Sequence, residues 1–86
     1  MNMYSVYFLQ SLRNGKIYTG MTEKNPPERV KEHNGKSNKW TRENGPFKMI
    51  YYEDYFCKAD AIQRENFYKS GMGRKIRKAI FLALGA

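Results

Sequence analysis

The sequence predicts an α+β domain, with a small three-stranded antiparallel sheet flanked by about three helices in the order β-β-α-β-α-α. Two segments near the N-terminus alternate in side-chain character as strands do, and a turn dipeptide joins them. Helical spacing of apolar residues appears before a third strand-like segment and twice after it. Since 86 residues hold one modest core, residues 1–86 are expected to form a single domain.

The predicted sheet consists of a hairpin and a later strand. Residues Met3 to Leu9 are rich in aromatic and β-branched side chains and alternate with the period of a strand. Asn14-Gly15 predicts a tight turn, because both residues tolerate positive φ, and Lys16 to Met21 follows as the second strand. Phe47 to Glu53 is predicted to be the third strand.

The first predicted helix begins in the segment Asn25-Pro26-Pro27-Glu28. Asn25 is a suitable N-cap acceptor, Pro26 suits the first helical position, and Glu28 can complete a capping box. The helix is expected to run to about Asn34. The polar and basic segment from Gly35 to Pro46 is then expected to be a surface loop.

Two further helices are predicted near the C-terminus. Ala59 to Ser70 and Gly73 to Leu84 both have helical spacing, and Gly71 is expected to end the first of them. The apolar stripe predicted to face inward on the last helix consists of Ile76, Ile80, Ala83 and Leu84.

Composition limits the partners and the compartment. Sixteen Lys and Arg against eight Asp and Glu give a net charge of +8, so a polyanion is the natural partner, although many basic proteins are merely soluble or are structural RNA-binding parts. A single cysteine, Cys57, cannot form an internal disulfide. The longest apolar stretch, Ala79 to Leu84, is too short for a membrane span, and no export signal is visible, so a cytoplasmic protein is expected.

Three polar residues lie on helix faces that should be packed. Arg29 and His33 share the inward arc of the first helix, and Glu65 lies one turn before Tyr68. A half-buried Arg requires a partner, either a carboxylate or a bound phosphate. Alternatively, Arg29 extends its charged end to solvent and His33 lies at the edge of the core. Glu65 is either paired with Arg29, Arg64 or another cation, or it holds a metal, since Mg²⁺ takes only one or two protein carboxylates.

Tyr7 and Tyr18 lie on neighbouring strands of the predicted hairpin, with both hydroxyls on one face in plausible registers. Core packing is the alternative role for each tyrosine, because aromatic side chains dominate small cores.

Several cations and one aromatic residue could form a track that binds a nucleic-acid backbone, with the aromatic ring stacking on a base. The alternative is that these cations simply form a solvated surface. The candidates for this track are Lys16, Lys36, Lys39, Trp40, Arg42 and Arg74.

These residues occur in an ordered set that resembles the GIY-YIG nuclease superfamily. Ser5-Val6-Tyr7 stands where that family has Gly-Ile-Tyr, and Tyr18-Thr19-Gly20 stands for Tyr-Ile-Gly. Arg29 and His33 follow, and then the segment Arg64-Glu65-Asn66-Phe67. The resemblance covers roughly Tyr4 to Gly73 and is strongest to small bacterial members that are similar to the N-terminal domain of the UvrC repair nuclease.

The resemblance implies a role for each candidate. Glu65 would hold one Mg²⁺ or Mn²⁺ ion, and Arg29 would grip the scissile phosphate. Tyr7 would be the first candidate for the general base, with Tyr18 and His33 as the alternatives for removing the proton. Tyr18 would otherwise position the water or the phosphate, and His33 would assist proton transfer or orient Tyr7. Tyrosine has a reference pKa of about 10, so this chemistry requires nearby positive charge.

The resemblance therefore implies a metal-dependent endonuclease that hydrolyses DNA, with a role in repair or recombination. A non-catalytic nucleic-acid-binding module of the same fold is one alternative, and an RNA-directed nuclease is another, because both polymers present phosphates. Family members that act at defined sites carry separate DNA-binding domains, and none is expected here. Target choice is therefore expected to come from structure in the nucleic acid, from a protein partner or from little selectivity at all.

Overall fold

The computed structural model describes residues 3–23, 26–35 and 39–85, without the side chains at positions 26, 27, 32, 33, 40 and 41. Its elements in chain order are β1 (Tyr4–Ser11), β2 (Ile17–Thr22), α1 (Pro26–Gly35), α2 (Lys39–Asn44), β3 (Phe47–Tyr55), α3 (Lys58–Lys69) and α4 (Gly71–Ala83). Within these residues, no helix is both long and apolar enough to span a bilayer.

The predicted α+β class is confirmed, with one added element. Helix α2 lies in the segment that was expected to be a loop, so that expectation was wrong for Lys39–Asn44. Its turn contains a Lys39–Glu43 pair at i,i+4, and the carbonyl oxygen of Asn44 accepts a hydrogen bond from the Ser11 hydroxyl. The predicted N-cap, Asn25, lies outside the described residues.

Strand β1 is the centre of an antiparallel sheet with the order β2-β1-β3. In the β1–β2 register, Tyr7 pairs with Gly20 and Leu9 pairs with Tyr18. Because side chains alternate along a strand, these four residues share one face of the sheet. The prediction that Tyr7 and Tyr18 lie on the same face is therefore confirmed.

Each face of the sheet packs against different helices. Val6 and Phe8 of β1 pack on one face with Ala61 and Tyr68 of α3. On the other face, Tyr7, Leu9 and Phe47 form a second buried cluster that includes Val30 of α1. The two tyrosines consequently face α1, whereas α3 covers the opposite face.

Helix α4 is rotated relative to the prediction. Ile80 packs on the core, but Ile76 and Leu84 are 39% and 51% exposed, and Ala83 is also exposed. The predicted inner stripe was therefore correct only at Ile80. The buried Gly73 determines the rotation, because a Cβ there would lie 1.6 Å from the Phe67 carbonyl oxygen.

A carboxylate between β3 and α3 accepts several hydrogen bonds. Oε1 of Glu53 accepts from Nε of Arg64 at 2.9 Å and from the Tyr55 hydroxyl at 2.5 Å. Oε2 accepts from the hydroxyls of Tyr51 and Tyr68. Burial raises the pKa of Glu53, but the hydrogen bonds from Arg64 and the tyrosines outweigh it and lower the pKa from 4.5 to about 2.

The hydrogen-bonded Glu53 carboxylate predicts that the protein loses stability at low pH. A carboxylate whose pKa is lowered by folding stabilises the native state above its unfolded pKa, and that stabilisation is lost as the pH falls from 4.5 towards 2. Allowing for partial solvent screening, we expect a loss of about 2 kcal/mol in the free energy of unfolding from Glu53 alone. Urea denaturation between pH 7 and pH 2 measures it. Glu53→Gln should be less stable at neutral pH and should lose less stability on acidification, so an unchanged acid dependence in this variant would contradict the assignment.

Candidate active site

A groove lies at the open edge of β2 and has a volume of about 480 Å³. We call it the tyrosine groove. It is lined by Tyr7, Leu9, Ile17, Tyr18, Thr19, Gly20, Lys69, Arg74 and Arg77. Since Tyr18 and Thr19 point to opposite faces of β2, the groove extends around the edge strand. It therefore brings the two strand tyrosines together with three cations from α3 and α4.

Gly20 makes room for Tyr7. An ideal Cβ at position 20 would lie 2.5 Å from the Tyr7 hydroxyl oxygen and 2.6 Å from its Cζ atom, closer than real contacts allow. The Tyr7 ring is only 3% exposed, so it has little freedom to move away. The glycine that ends the Tyr18-Thr19-Gly20 motif thus determines where the Tyr7 hydroxyl lies.

Tyr18 is held by residues from two other segments. Its hydroxyl donates to Oδ1 of Asn44, at the end of α2, with an O···O distance of 2.8 Å. Its ring packs edge-on against Phe47, with centroids 5.6 Å apart. Nδ2 of Asn14 also donates to the Tyr18 hydroxyl oxygen at 3.5 Å, so the phenol is fixed between two amide side chains.

Helix α1 is attached to the sheet near its C-terminal end. Oδ1 of Asn34 accepts from the backbone N–H of Phe47 at 2.8 Å, and its Nδ2 donates to the Phe47 carbonyl oxygen at 3.0 Å. Val30 packs into the Tyr7 cluster, and the adjacent Arg29 is half-buried, with its Nε atom inaccessible to solvent. Arg29 is thus on the helix that covers the tyrosine face of the sheet. The His33 backbone is in α1, but its side chain is not among those that the structure describes.

Glu65 lies beside the tyrosine groove rather than in its lining. Its side chain is 20% exposed, and its Oε2 atom is 3.2 Å from Nζ of Lys69, a lining residue. Within the described part of the chain, its Oε1 atom has no hydrogen-bond partner. Arg64, one of the cations predicted as a partner for Glu65, pairs with Glu53 instead.

The remaining candidates are spread over several surfaces. Arg74 lines the tyrosine groove, and Lys16 lines an adjoining one. Lys39 and Arg42 are exposed on α2, outside the lining of both grooves. The side chain of Trp40 and all of Lys36 lie outside the described residues.

The sequence pattern did not place Asn44 at the site, and Arg77 was not among the predicted nucleic-acid contacts. Asn44 was part of a segment interpreted as a loop, and only the tertiary fold brings it to Tyr18. Arg77 is half-buried, and its Nη1 atom donates to Oγ1 of Thr19 at 2.9 Å. The available signal for Arg77 was its position three residues after Arg74, a predicted nucleic-acid contact, because residues at i and i+3 are neighbours on a helix.

The Gly20–Tyr7 contact predicts a mutational effect. Gly20→Ala should displace the Tyr7 ring, lowering any activity that depends on its hydroxyl by about 100-fold, because small misplacements of reacting groups are costly. The free energy of unfolding should fall by about 1–3 kcal/mol. Cleavage kinetics and urea denaturation measure these changes. Gly35→Ala, where an added Cβ meets nothing within 4 Å, is the matched control; equal behaviour of the two variants would refute the spacing role.

Comparison with known proteins identifies the family. A sequence model of the GIY-YIG catalytic domain matches residues 3–77. A UPF0213 protein of Bacillus licheniformis is 39% identical over 64 residues, which are 73% of this chain and 65% of that protein. The chain thus spans slightly less than two thirds of that relative. A UPF0213 protein of Clostridium perfringens is 40% identical over 68 residues, which are 78% of this chain and 71% of the Clostridium protein.

A solved structure agrees with these matches. The solution NMR structure of a UPF0213 protein from Bacillus halodurans has 32% sequence identity and a TM-score of 0.53, covering 93% of this chain and 84% of that one. Since the catalytic-domain match extends over most of the sequence, and the solved UPF0213 structure shares both sequence and fold with it, this chain belongs to the GIY-YIG family, among its UPF0213 proteins.

Proposed function

We propose that this protein is a divalent-metal-dependent endonuclease that hydrolyses DNA phosphodiester bonds. The observation that carries the proposal is the tyrosine groove, in which the side chains of Tyr7 and Tyr18 from adjacent strands share one cavity with three cations. A phosphodiester in this groove would meet positive charge on one side and phenol oxygens on the other. The family match to a catalytic domain supports the same reaction class.

The two tyrosines have different roles in this proposal. Tyr7, fixed over Gly20, acts in its phenolate form, and the proton of the attacking water passes to the phenolate oxygen. Tyr18, whose hydroxyl is fixed by its hydrogen bond to Asn44, positions that water or the phosphate. Asn44 is therefore a positioning residue, acting through Tyr18.

Helix α1 contributes the remaining groups. Arg29 is a planar guanidinium on the helix that faces the tyrosines, and it binds the scissile phosphate and offsets the negative charge of the transition state. His33 lies one turn further along α1 and assists proton transfer or orients Tyr7. Both roles rest on the family resemblance together with the position of α1.

Glu65 fits a role as the protein ligand of one Mg²⁺ or Mn²⁺ ion. The carboxylate is partly exposed beside the groove, and its Oε1 atom is not engaged within the described residues. Such a site suits Mg²⁺, which takes one or two carboxylates and completes its coordination with water and phosphate oxygens. When bound, the ion would polarise the phosphate and stabilise the leaving oxygen. Lys69, which pairs with Oε2, helps to orient the carboxylate.

The nucleic-acid contacts proposed for this enzyme follow from its positive charge. A net charge of +8 favours binding to DNA, and Lys16, Lys39, Arg42 and Arg74 are cations that can contact its backbone, with Lys36 and Trp40 as further candidates. We place the enzyme in the cytoplasm, in DNA repair or recombination. A protein partner would supply target selection.

Cleavage of labelled nucleic acids tests the proposal. Duplex, nicked, flapped and branched DNA, with matched RNA, should be incubated with Mg²⁺, with Mn²⁺ or with EDTA. We expect cleavage of at least one DNA substrate with a metal and none with EDTA. Preferred cleavage of RNA would overturn the choice of DNA but keep the mechanism, whereas cleavage in EDTA would overturn the metal requirement.

A non-catalytic binding module is the second candidate function, favoured by the positive groove alone. Binding to DNA without cleavage of any substrate, in either metal, would replace the nuclease proposal with this one. Its binding should weaken steeply as salt increases, because phosphate contacts release counterions.

A further inference from the structure

A second groove adjoins the tyrosine groove. It has a volume of about 350 Å³ and lies between β2 and α4. We call it the helix groove. It is lined by Lys16, Ile17, Arg74, Arg77, Lys78 and Phe81. Ile17, Arg74 and Arg77 line both grooves, so the two arginines stand at the junction.

The arginines at this junction are not neutralised by the part of the chain that the structure describes. No described carboxylate lies within 4.0 Å of either guanidinium, and the side-chain partner of Arg77 is the neutral hydroxyl of Thr19. Burial lowers the pKa of Arg77, and the charge of Arg74 lowers it further. Two neighbouring cations, one of them half-buried, are stabilised when an anion binds between them.

The rest of the helix groove suits a nucleotide rather than a bare anion. Lys16 and Lys78 add two cations, and the half-buried Phe81 adds an aromatic surface. Cations with an aromatic side chain are typical of sites for unpaired nucleotides, where the base stacks and the backbone follows the charge. The volume is at the lower end for ligand pockets, so it accommodates one nucleotide more readily than a base pair.

We infer that Arg74 and Arg77 together bind the phosphate next to the scissile one, and that the helix groove receives the unpaired nucleotide attached to it, against Phe81. This inference rests on the proposed function, which places the scissile phosphate in the tyrosine groove. It specifies the substrate class: a nucleic acid that is single-stranded beside the cut, such as a flap or a frayed end. A fully paired strand would place a base pair at the helix groove, which has room for only one nucleotide.

Equilibrium binding in EDTA tests the inference without any cleavage. A short fluorescent single strand and the matched blunt duplex should be titrated over a range of salt concentrations. We expect the wild type to bind the single strand more tightly. Arg74→Ala should weaken that binding severalfold and lower the slope of log K against log salt by about 0.7, the value for one phosphate contact on a single strand. Arg77→Lys should also weaken binding, because Lys does not reproduce a guanidinium fork.

Two further variants make the test specific. Lys75→Ala removes an exposed cation from α4 that lines neither groove, so it should retain binding and the salt slope. Phe81→Leu should weaken single-strand binding by about fivefold or more while duplex binding stays nearly constant. Thermal unfolding should show that each variant is folded; Arg74 is exposed, so its replacement does not disturb the core.

The outcomes separate this inference from the proposed function. If Arg74→Ala binds like Lys75→Ala, or if the duplex binds as tightly as the single strand, the inference is overturned even where metal-dependent cleavage is intact. If the variants behave as expected but the wild type never cleaves, the arginine site stands as a single-strand site and the nuclease proposal falls.

Discussion

Replacing Glu65 with glutamine is expected to abolish metal-dependent cleavage, with a loss of roughly 1000-fold or more in rate. Glutamine preserves the size of the side chain but removes the negative charge that a hard divalent cation requires. The fold should survive, because the carboxylate is partly exposed and its ion pair with Lys69 contributes little to stability. Single-turnover cleavage in Mg²⁺ and in Mn²⁺ measures the effect.

Glu43 provides a matched control for this substitution. It forms the same kind of i,i+4 pair, with Lys39, and its side chain is 60% exposed. Glu43→Gln should therefore cleave at close to the wild-type rate. Equal rates for Glu65→Gln and the wild type would remove Glu65 from the metal site and leave the ion without its proposed ligand.

Replacing Gly73 with alanine is expected to cause the largest loss of stability. The added Cβ would meet the Phe67 carbonyl oxygen at 1.6 Å and the Tyr68 Cα atom at 2.8 Å, and both are backbone atoms that cannot rotate away. Helices α3 and α4 would have to separate, although Tyr68 is fully buried in the core. We expect a loss of about 3 kcal/mol or more in the free energy of unfolding, measured by urea denaturation.

Gly71 distinguishes a local clash from a general effect of alanine. It lies two residues earlier in α4, is exposed, and has no atom within 4 Å of an added Cβ. Gly71→Ala should leave stability unchanged or raise it slightly, because alanine favours the helix. A mild effect of Gly73→Ala, similar to that of Gly71→Ala, would show that the α3–α4 junction is looser than described.

Local patterns predicted much of the fold. Strand alternation around Tyr7 and the Asn14-Gly15 turn identified the hairpin, and that hairpin aligned Tyr7 and Tyr18 on one face. These features depend on residues close in sequence. The ordered set of polar residues, including Arg29 and Glu65, also predicted the family correctly.

Contacts between distant segments were not predictable in the same way. The partner of Tyr18 is Asn44, which is 26 positions away, and nothing in the local sequence of either residue indicates the pairing. The rotation of α4 depends on the approach of Gly73 to Phe67, which a helical wheel does not include. Ser5, in place of the first motif glycine, is buried and donates to Asp54 across the sheet at 2.5 Å.

The most direct test of the central claim, that the tyrosine groove is the active site, is the single-turnover cleavage rate of Tyr7→Phe. This change keeps the packed ring and removes only the hydroxyl that lies over Gly20. Tyr52→Phe is the control, since Tyr52 is 49% exposed on β3 and lines neither groove. We expect a loss of about 100-fold or more for folded Tyr7→Phe and a near wild-type rate for Tyr52→Phe. If both variants cleave DNA at the wild-type rate, the Tyr7 hydroxyl takes no part in the reaction and the active site lies elsewhere.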